Sequence, residues 1–505
     1  VYQMYYEFSE RVNRLAPHRI MAIDRGEKEN IISVSFSYNK EYLSGWVARY
    51  LMRNRKSPLE ALVQEAIEDG LKRLVYTAIE REVRRDLSAV AQEKSIQVFS
   101  MNLEHLLLQP PLKNKVILGF DPAYRTGCKL AVIDTTGKLL KVDVIYPHVP
   151  HKKVKEASEK LLSLIENYHV EVIAIGNGTA SRESESFVAD FVHKHDLNVS
   201  YTIVSEAGAS VYSASKAAKE EFADLPVEHR SAVSIARRLQ DPLSELIKID
   251  PQSIGVGQYQ HDVAGAQLKE RLDFVVEKAV NRVGVNVNTA SVELLKHVAG
   301  LKESSAKSIV FYRKELKDIS KIGAKTFEQA AGFLRIEDGE ELLDRTAIHP
   351  ESYKLARELF SYVGLKESQI GSEEMKETLR CVDKEKLCED LSCDMYTLDD
   401  ILEVFQHPFR DYRERFTPVL LRKDVVELED LKIGDRLEGV VRNVVDFGAF
   451  VDIGLHEDGL VHISQMSENR IGHPEEVVSV GDIVKVKVIG IDMEKQKVQL
   501  SFKGG

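Results

Sequence analysis

The segment LEGVVRNVVDFGAFVDIGLHEDGLVHIS spans residues 437–464. Its pattern of apolar residues is typical of short β-strands, in which core and surface positions alternate. Because successive side chains of a β-strand point to opposite faces, Phe450 is predicted on one face and Val451 in the core. The bend before this strand carries Phe447, and the next run, GLVHI, leads through His462. The pattern predicts a small β-barrel with the two phenylalanines and the histidine on one outer face.

This face has the composition of a nucleic-acid binding surface. Aromatic rings stack on any base and contribute roughly 1 to 3 kcal/mol per base, while nearby cations meet the phosphates. The other side chains expected there are Asp452, Arg442, Lys485, Lys487 and Lys497. FGAF followed by GLVHIS closely resembles the OB-fold RNA-binding module first named in the largest small-subunit ribosomal protein, here expected over 431–505. An ordinary barrel whose aromatic residues belong to the core is the alternative.

Length and charge limit the possible classes of protein. A chain of 505 residues is expected to form three or more compact units, since single cores rarely exceed about 250 to 300 residues. The formal charge of -11 argues against a uniformly basic surface, so nucleic acid would bind to local, salt-sensitive patches. No long apolar run or signal peptide is visible, and a cytoplasmic protein with no membrane contact is expected. The start on Val1 suggests that an N-terminal part is missing.

The four cysteines carry no metal-binding pattern. Cys128, Cys381, Cys388 and Cys393 form no CxxC pair and have no histidine close enough in sequence to complete a zinc site. We expect reduced thiols, no metal site and no cofactor.

Residues 1–113 are predicted to be a helical scaffold with a short strand pair. SPLEALVQEAIEDGLKRLVYTAIEREVRRDL repeats apolar residues at helical spacing, and RIMAIDRGEKENIISVSF is interpreted as two short strands.

Residues 114–242 change to a strand-rich pattern. VILGFD, CKLAVID and KLLKVDVIY precede alternating helices and strands, which predicts a mixed α/β sheet. Asp121, Asn177 and Glu206 each follow a strand expected to be parallel to the others, so all three are predicted at one sheet edge, where active sites form.

FDPAYRTGCKLAVID resembles the YqgF branch of the RNase H-like fold, which is related to junction-resolving nucleases. Such nucleases hold two metal ions about 4 Å apart and need several carboxylates. The resemblance implies that Asp121 and Glu206 are two of these acids. At the position where the family has a further Asp, this sequence has Arg230. The site is therefore predicted to be degenerate and the protein not to be an enzyme. A metal-dependent nuclease using Asp121 and Glu206 is the alternative.

Other residues near this edge leave further alternatives. Arg230 is expected to form a salt bridge with the two carboxylates rather than to help bind magnesium. Asp224 or Glu228 could supply the missing acid. Residues 125–127 and the loop 176–179 could hold a phosphate or could simply be tight turns.

Residues 243–336 contain two similar helix–turn–helix runs, NTASVELLKHVAGLKESSAKSIVFYR and ISKIGAKTFEQAAGFLRI, which predict tandem helix-hairpin-helix units. Gly300 and Gly323 let the backbone approach a phosphate, and the next helix offers free N–H groups. Further attraction is expected from Lys302, Lys307, Lys321 and Lys325. Such contacts read no sequence. Two ordinary α-hairpins are the alternative.

Residues 337–430 are rich in Glu and Asp and are predicted to be an acidic helical linker domain. No chemistry is apparent in this segment. It could position its neighbours or dock on a protein partner such as RNA polymerase or the ribosome.

The order of these parts, together with DPLSELIKIDPQSIGVGQYQHDV and KTFEQAAGFLRI, resembles the bacterial Tex family of transcription accessory proteins. The resemblance implies RNA-facing roles for Phe447, Phe450 and His462, with Asp492 and Lys497 as weaker candidates. It also implies phosphate contacts at the hairpin glycines and a YqgF domain that does not cleave. The helix-turn-helix part usual at the family's N-terminus is absent from this sequence.

The function expected on these grounds is a transcription accessory factor that holds RNA or DNA non-specifically through the barrel and the hairpins. The alternatives are the nuclease described above and a protein-interaction scaffold.

Overall fold

The computed structural model describes residues 2–52, 58–315, 324–336, 339, 341–380, 382–408, 411–416, 421, 431–445, 447–453, 455, 458–468, 471, 474, 477–478, 482–492 and 497–503. The chain divides into two compact units, Val1–Met101 with Val256–Arg271, and Asn102–Gly255 with Leu272–Gly505. No helix within the described ranges is long and apolar enough to span a bilayer.

The first unit is helical. It contains α1 Pro17–Lys28, α2 Lys40–Met52 and α3 Glu60–Gly70, then the π-helical segment Leu71–Val75 and most of α4 Tyr76–Leu107. Arg25 of α1 donates through Nε to Asp262 at 2.8 Å. This ion pair joins the two stretches of chain that make up the unit.

The strand pair predicted in residues 1–113 is wrong. RIMAIDRGEK belongs to α1, and the described residues of 1–113 contain no strand. Ile20, Ile23 and Gly26 are spaced three apart and are buried, and Pro17 occupies the first helical position, which proline favours. A short apolar run fits either a strand or one buried helix face, and here tertiary packing selects the helix.

The second unit begins with a five-stranded mixed sheet in the order β3-β2-β1-β4-β5. The strands are β1 Ile117–Asp121, β2 Cys128–Ile133, β3 Leu139–Ile145, β4 Val172–Gly176 and β5 Ser200–Val204. β1 pairs antiparallel with β2, whereas β1, β4 and β5 are mutually parallel. The mixed α/β sheet predicted from the strand pattern is therefore confirmed.

Helices cover both faces of this sheet. They are α5 Val154–Tyr168, α6 Ser181–Lys194, α7 Ala209–Ala214, α8 Lys216–Glu221 and α9 Val227–Gln240, followed by α10 Pro242–Leu246. One core packs side chains of α5 and α6 against the sheet, and another packs α9 against it. A Cβ added to Gly119 of β1 would lie 2.0 Å from the carbonyl oxygen of Ala232, so α9 touches the strand that leads to Asp121.

A helical region follows, with two very short strands between its parts. The elements are α11 Gly265–Val283, β6 Val285–Asn286, α12 Val292–Leu295, α13 Glu303–Glu315, α14 Ala324–Ala330 and β7 Leu334–Arg335, then α15 Tyr353–Val363, α16 Glu373–Arg380, α17 Lys384–Leu391 and α18 Met395–Gln406. β6 and β7 pair in parallel. The last four helices share a core that includes Leu359, Met375, Leu398 and Phe405, so the acidic segment folds around its own apolar centre.

The C-terminal part is a closed five-stranded barrel in the order β10-β12-β11-β8-β9. Its strands are β8 Arg436–Val445, β9 Gly448–Asp452, β10 Gly459–His462, β11 Ile483–Asp492 and β12 Lys497–Ser501. Val441, Val451, Val461, Val486 and Leu500 fill the interior. The predicted fold class, a multidomain α+β chain with a small barrel at its end, is confirmed.

Candidate nucleic-acid interface

Two aromatic side chains meet on the outside of the barrel. Phe447 is 51% exposed, and its ring centroid lies 6.3 Å from that of Phe450, edge to face at 86°. Phe450 is half-buried, while its neighbours Ala449 and Val451 are fully buried. The contact orients the exposed ring and leaves it accessible to a flat, apolar partner such as a base.

His462 lies beside this pair. It pairs with Gly448 across β9 and β10, and the Ile463 N–H donates to the Phe447 carbonyl at 2.8 Å. The Ser464 N–H donates to His462 Nδ1 at 3.3 Å. Because Nδ1 accepts, Nε2 carries the proton in the neutral ring, and it has no partner among the described residues. Nε2 is therefore available to donate to a base or a phosphate.

The predicted lysines are not equally close to the aromatic side chains. Parallel pairing of β10 with β12 brings His462 level with Ser501, and Ser501 pairs with Lys487 of β11. Lys497 begins β12 and pairs with Asp492, about 13 Å along the strand from Ser501 at 3.3 Å per residue. Lys487 is thus the better placed of these two predicted cations, although the family resemblance gave Lys497 as a candidate.

Two other predicted surface residues have different environments. The prediction that Asp452 contributes to the exposed face is wrong, because it is 1% exposed, at the end of β9 where the strand pairs with Val440 of β8. Lys485 is exposed and pairs with Glu438 across β11 and β8. The negative charge of Glu438 offsets the positive charge that Lys485 would offer to a phosphate. The side chain of Arg442 lies outside the described residues.

The first hairpin has the geometry that the sequence predicts. Gly300 has φ +80° and connects α12 to α13. Asn281 of α11 supports the turn, because its Oδ1 accepts from the Ala299 N–H at 2.9 Å and its Nδ2 donates to the His297 carbonyl at 3.2 Å. The turn is therefore held by a side chain as well as by its own backbone.

The cations of the hairpins vary in availability. Lys302 and Lys325 are exposed, whereas Lys307 forms an i,i+4 ion pair with Glu303 at 2.5 Å. Gly323 and Lys321 of the second hairpin lie outside the described residues.

Asp121 and Glu206 come together at the carboxyl edge of the sheet. Asn177 accepts through Oδ1 from the Glu206 N–H at 2.9 Å. Gly178 leaves no room for a side chain, since an added Cβ would lie 1.7 Å from Glu206 Oε1. Burial and the charge of Glu206 raise the pKa of Asp121 to about 6, against the opposing effect of Lys129. Burial also raises the pKa of Glu206, although a hydrogen bond from Gly178 and the charge of Arg238 oppose it.

Arg230 does not form the predicted salt bridge with these carboxylates. The residue is 6% exposed, and its guanidinium donates to the carbonyls of Leu225, Ser213 and Phe222 at 3.0, 3.1 and 3.0 Å. The prediction failed because a guanidinium that satisfies three buried carbonyls needs no carboxylate partner.

The part of the chain that the structure describes offers no third acid to complete a metal site at this edge. Among the described residues, no three His, Cys, Asp or Glu side chains are grouped so as to hold a metal ion. Asp224 and Glu228, considered as substitutes for the missing acid, are both exposed. Arg125 of the predicted phosphate loop is exposed as well, and Gly127 has φ +77°.

Family models match most parts of the chain. Residues 115–240 match the Tex protein YqgF-like domain, 1–99 the Tex central region-like model, 280–335 a helix-hairpin-helix motif, 341–413 an HHH domain and 430–503 the S1 RNA binding domain. The transcriptional accessory protein Tex of Neisseria gonorrhoeae is 41% identical over 99% of this chain and 67% of its own length. This chain belongs to the Tex family.

Other relatives of this Tex-family chain come from a bacterium and from human. An uncharacterized protein of Bacillus subtilis, YdcI, is 54% identical over 99% of the chain and 71% of its own length. The human S1 RNA-binding domain-containing protein 1 is 36% identical over 99% of the chain and 58% of its own length.

Functional signals in two places were not predicted from the sequence. The helix-hairpin-helix match at 341–413 falls in the segment interpreted as an acidic linker, whose surface charge obscured the hairpin pattern. Lys129 lies directly across from Asp121 in the β1–β2 ladder and is 6% exposed. The pairing register of the β1–β2 hairpin, if it had been assigned from the sequence, would have placed Lys129 beside Asp121.

Asp121→Asn is expected to change how stability depends on pH. A carboxyl whose pKa is about 6 in the folded state and about 3.9 when unfolded destabilises the fold progressively as pH rises from 4 to 6. The variant should therefore be more stable than the parent at pH 7.5, by on the order of 2 kcal/mol, and no more stable at pH 4. Thermal melts across this pH range measure the difference in stability. If the stabilities of the variant and the parent changed with pH in the same way, the raised pKa of Asp121 would be contradicted.

Gly300→Ala is expected to damage the first hairpin. The left-handed backbone penalises alanine, and the new Cβ would lie 2.7 Å from the Cβ of Gln329, so we expect a loss of about 1 to 2 kcal/mol in stability. Duplex DNA affinity should fall several-fold while binding of short single-stranded RNA is retained. Gly265→Ala is the matched control, because nothing lies within 4 Å of its added Cβ. Equal loss in both variants would reject the hairpin contact.

Proposed function

We propose that this Tex-family chain is a nucleic-acid-binding transcription accessory factor that holds RNA or DNA with little sequence preference. The observation that carries the proposal is the exposed Phe447 ring, held against Phe450 with His462 on the neighbouring strand. We assign base stacking to the two phenylalanines, a polar contact to His462 and phosphate contacts to Lys487 and Lys497. The division of the chain at residues 113, 242, 336 and 430 is part of the same proposal.

The hairpins would supply a second kind of contact. Gly300, Gly323 and Lys325 are proposed to meet the phosphate backbone, which carries no base information. Since the whole chain has a formal charge of -11, these patches act against a repulsive background, so affinity should fall steeply as salt increases.

Removal of residues 431–505 tests the assignment of the barrel. Anisotropy of labelled single-stranded RNA, measured at several salt concentrations, should show a loss of affinity of at least about thirtyfold relative to the full chain. The remaining affinity should fall as salt rises, as expected for the hairpins. Unchanged affinity after the deletion would defeat the proposal.

We assign the carboxyl edge of the sheet no hydrolytic role. Supporting this, Lys129 pairs with Asp121 across β1 and β2, where its ammonium competes with a divalent cation for the carboxylate. Arg238 donates to the carbonyls of Ser205 and Ala207 at 2.7 and 2.8 Å, which places a second buried cation beside Glu206. Two carboxylates with cationic neighbours favour a structural over a two-metal site.

We also infer a cytoplasmic protein partner, RNA polymerase or the ribosome, for the helical domain built from α15 to α18. Tyr396 of α18 supports a docking role because it is 86% exposed, and exposed tyrosine is typical of protein interfaces. Co-sedimentation of the full chain with purified polymerase and with ribosomes should detect one complex that Tyr396→Ala weakens. Failure of both to retain the chain would reject this partner.

A further inference from the structure

A large cavity lies within the second unit, between the sheet domain and the helical region. It has a volume of about 1450 Å³, and its wall includes parts of α9, α10 and α18, the strands β6 and β7, and the turn Tyr412–Arg415. The volume exceeds that of many small-molecule sites, which are about 300 to 1,000 Å³. The chemistry of its wall therefore indicates what it could hold.

Most cations on this wall already have a carboxylate partner. Six of them lie within 4.0 Å of an acidic oxygen: Lys113, Arg237, Lys248, Arg282, Arg413 and Arg415. Arg335 and Arg345 also line the cavity, and neither has a carboxylate partner in the described part of the chain. These two arginines are therefore the candidates on this wall for binding an anion.

Arg335 is held in a fixed orientation. Its Nη1 donates to the carbonyls of Gly332 and Leu334 at 2.8 and 3.0 Å. The guanidinium lies against Gly284, where an added Cβ would be 3.2 Å from Nη2. Nε and Nη2 make no hydrogen bond to a described residue. Desolvation by burial lowers the pKa of Arg335 to about 10, against the opposing effect of Tyr353.

Arg345 is close to Arg335 along the backbone. The Ile336 N–H donates to the Asp344 carbonyl at 3.0 Å. Arg335 directly precedes Ile336 in the sequence, and Arg345 directly follows Asp344. Arg345 is exposed and donates through Nη2 to the Gly339 carbonyl at 3.0 Å. Its other N–H groups are uncommitted among the described residues.

We propose that Arg335 and Arg345 form a phosphate-binding site on the wall of this cavity. Guanidinium groups bind phosphate oxygens through paired, charge-assisted hydrogen bonds, and Arg335 is already oriented by its carbonyl contacts. The phosphate belongs either to a nucleic-acid backbone or to a free phosphate compound, since both present the same oxygens. The site lies outside the barrel, so it does not depend on stacking at Phe447.

The test compares the full chain with Arg335→Gln and with Arg345→Gln, each alone. Calorimetric titration with pyrophosphate probes the free source, and anisotropy with labelled duplex DNA probes the backbone source. Arg415→Gln is the matched control, because Arg415 lines the same cavity but is paired with Glu403. Thermal melts identify any variant that is unfolded, for which Arg335→Gln is the greater risk since it gives up two hydrogen bonds.

We expect each arginine variant to lose about tenfold in affinity for at least one probe, with the control unchanged. Loss toward pyrophosphate identifies a free phosphate ligand. Loss toward duplex DNA alone, with a smaller salt slope, identifies the nucleic-acid backbone. If a folded Arg345→Gln binds both probes as tightly as the full chain, the site is rejected. That result would leave the assignment of the barrel untouched, because the barrel is tested by its own substitutions.

Discussion

Phe447→Ala combined with Phe450→Ala should lower the affinity of this protein for single-stranded RNA by at least about thirtyfold. Each stacked base contributes roughly 1 to 3 kcal/mol, and loss of two such contacts at the lower limit removes about 2 kcal/mol. Phe447 is 51% exposed, so its removal should cost little stability. Anisotropy titrations with a labelled oligonucleotide measure the effect.

The control for this loss is Phe274→Ala. Phe274 is 59% exposed on α11, so the same apolar group is removed from a comparably exposed position outside the barrel. Its affinity for RNA should be unchanged. An equal loss in the control, or no loss in the double variant, would reject the stacking surface.

Gly119→Ala should destabilise the sheet domain by about 3 kcal/mol and lower its midpoint of thermal unfolding by about 10 °C. The added Cβ would lie 2.0 Å from the Ala232 carbonyl oxygen and 3.0 Å from the Ala236 Cβ. Neither is the end of a flexible side chain, so β1 and α9 would have to separate. Calorimetry of the full chain shows whether the thermal unfolding transition of the sheet domain moves to a lower temperature.

The matched substitution is Gly255→Ala in the same unit, where nothing lies within 4 Å of an added Cβ. It should leave the midpoint within about 2 °C. A Gly119→Ala protein as stable as this control would show that the close packing of α9 on β1 is not maintained in solution.

Local patterns were sufficient to predict the barrel and the sheet. The alternation around Phe450 and Val451 fixes which side chains lie inside, because strand periodicity is a local property. The same argument placed Asp121 and Glu206 at one edge, since parallel strands that end together bring their following residues together. The short apolar run at Ile20 is compatible with either a strand or a helix, and it is helical because of its tertiary packing.

Long-range contacts could not be predicted in the same way. Arg230 satisfies carbonyls in the chain segment leading into α9 and at the end of α7, and these partners become adjacent only when the helices pack. Among the described residues Arg335 has no carboxylate partner, and its position against Gly284 depends on the pairing of β6 with β7. Residue type alone predicted a salt bridge for Arg230, and nothing in the sequence drew attention to Arg335.

The most direct measurement mixes the full chain with labelled single-stranded RNA in magnesium or manganese and records anisotropy and strand integrity on the same samples. We expect saturable, salt-sensitive binding with every strand intact. Cleavage that Asp121→Asn abolishes would contradict it and would make Asp121 and Glu206 the centre of a nuclease.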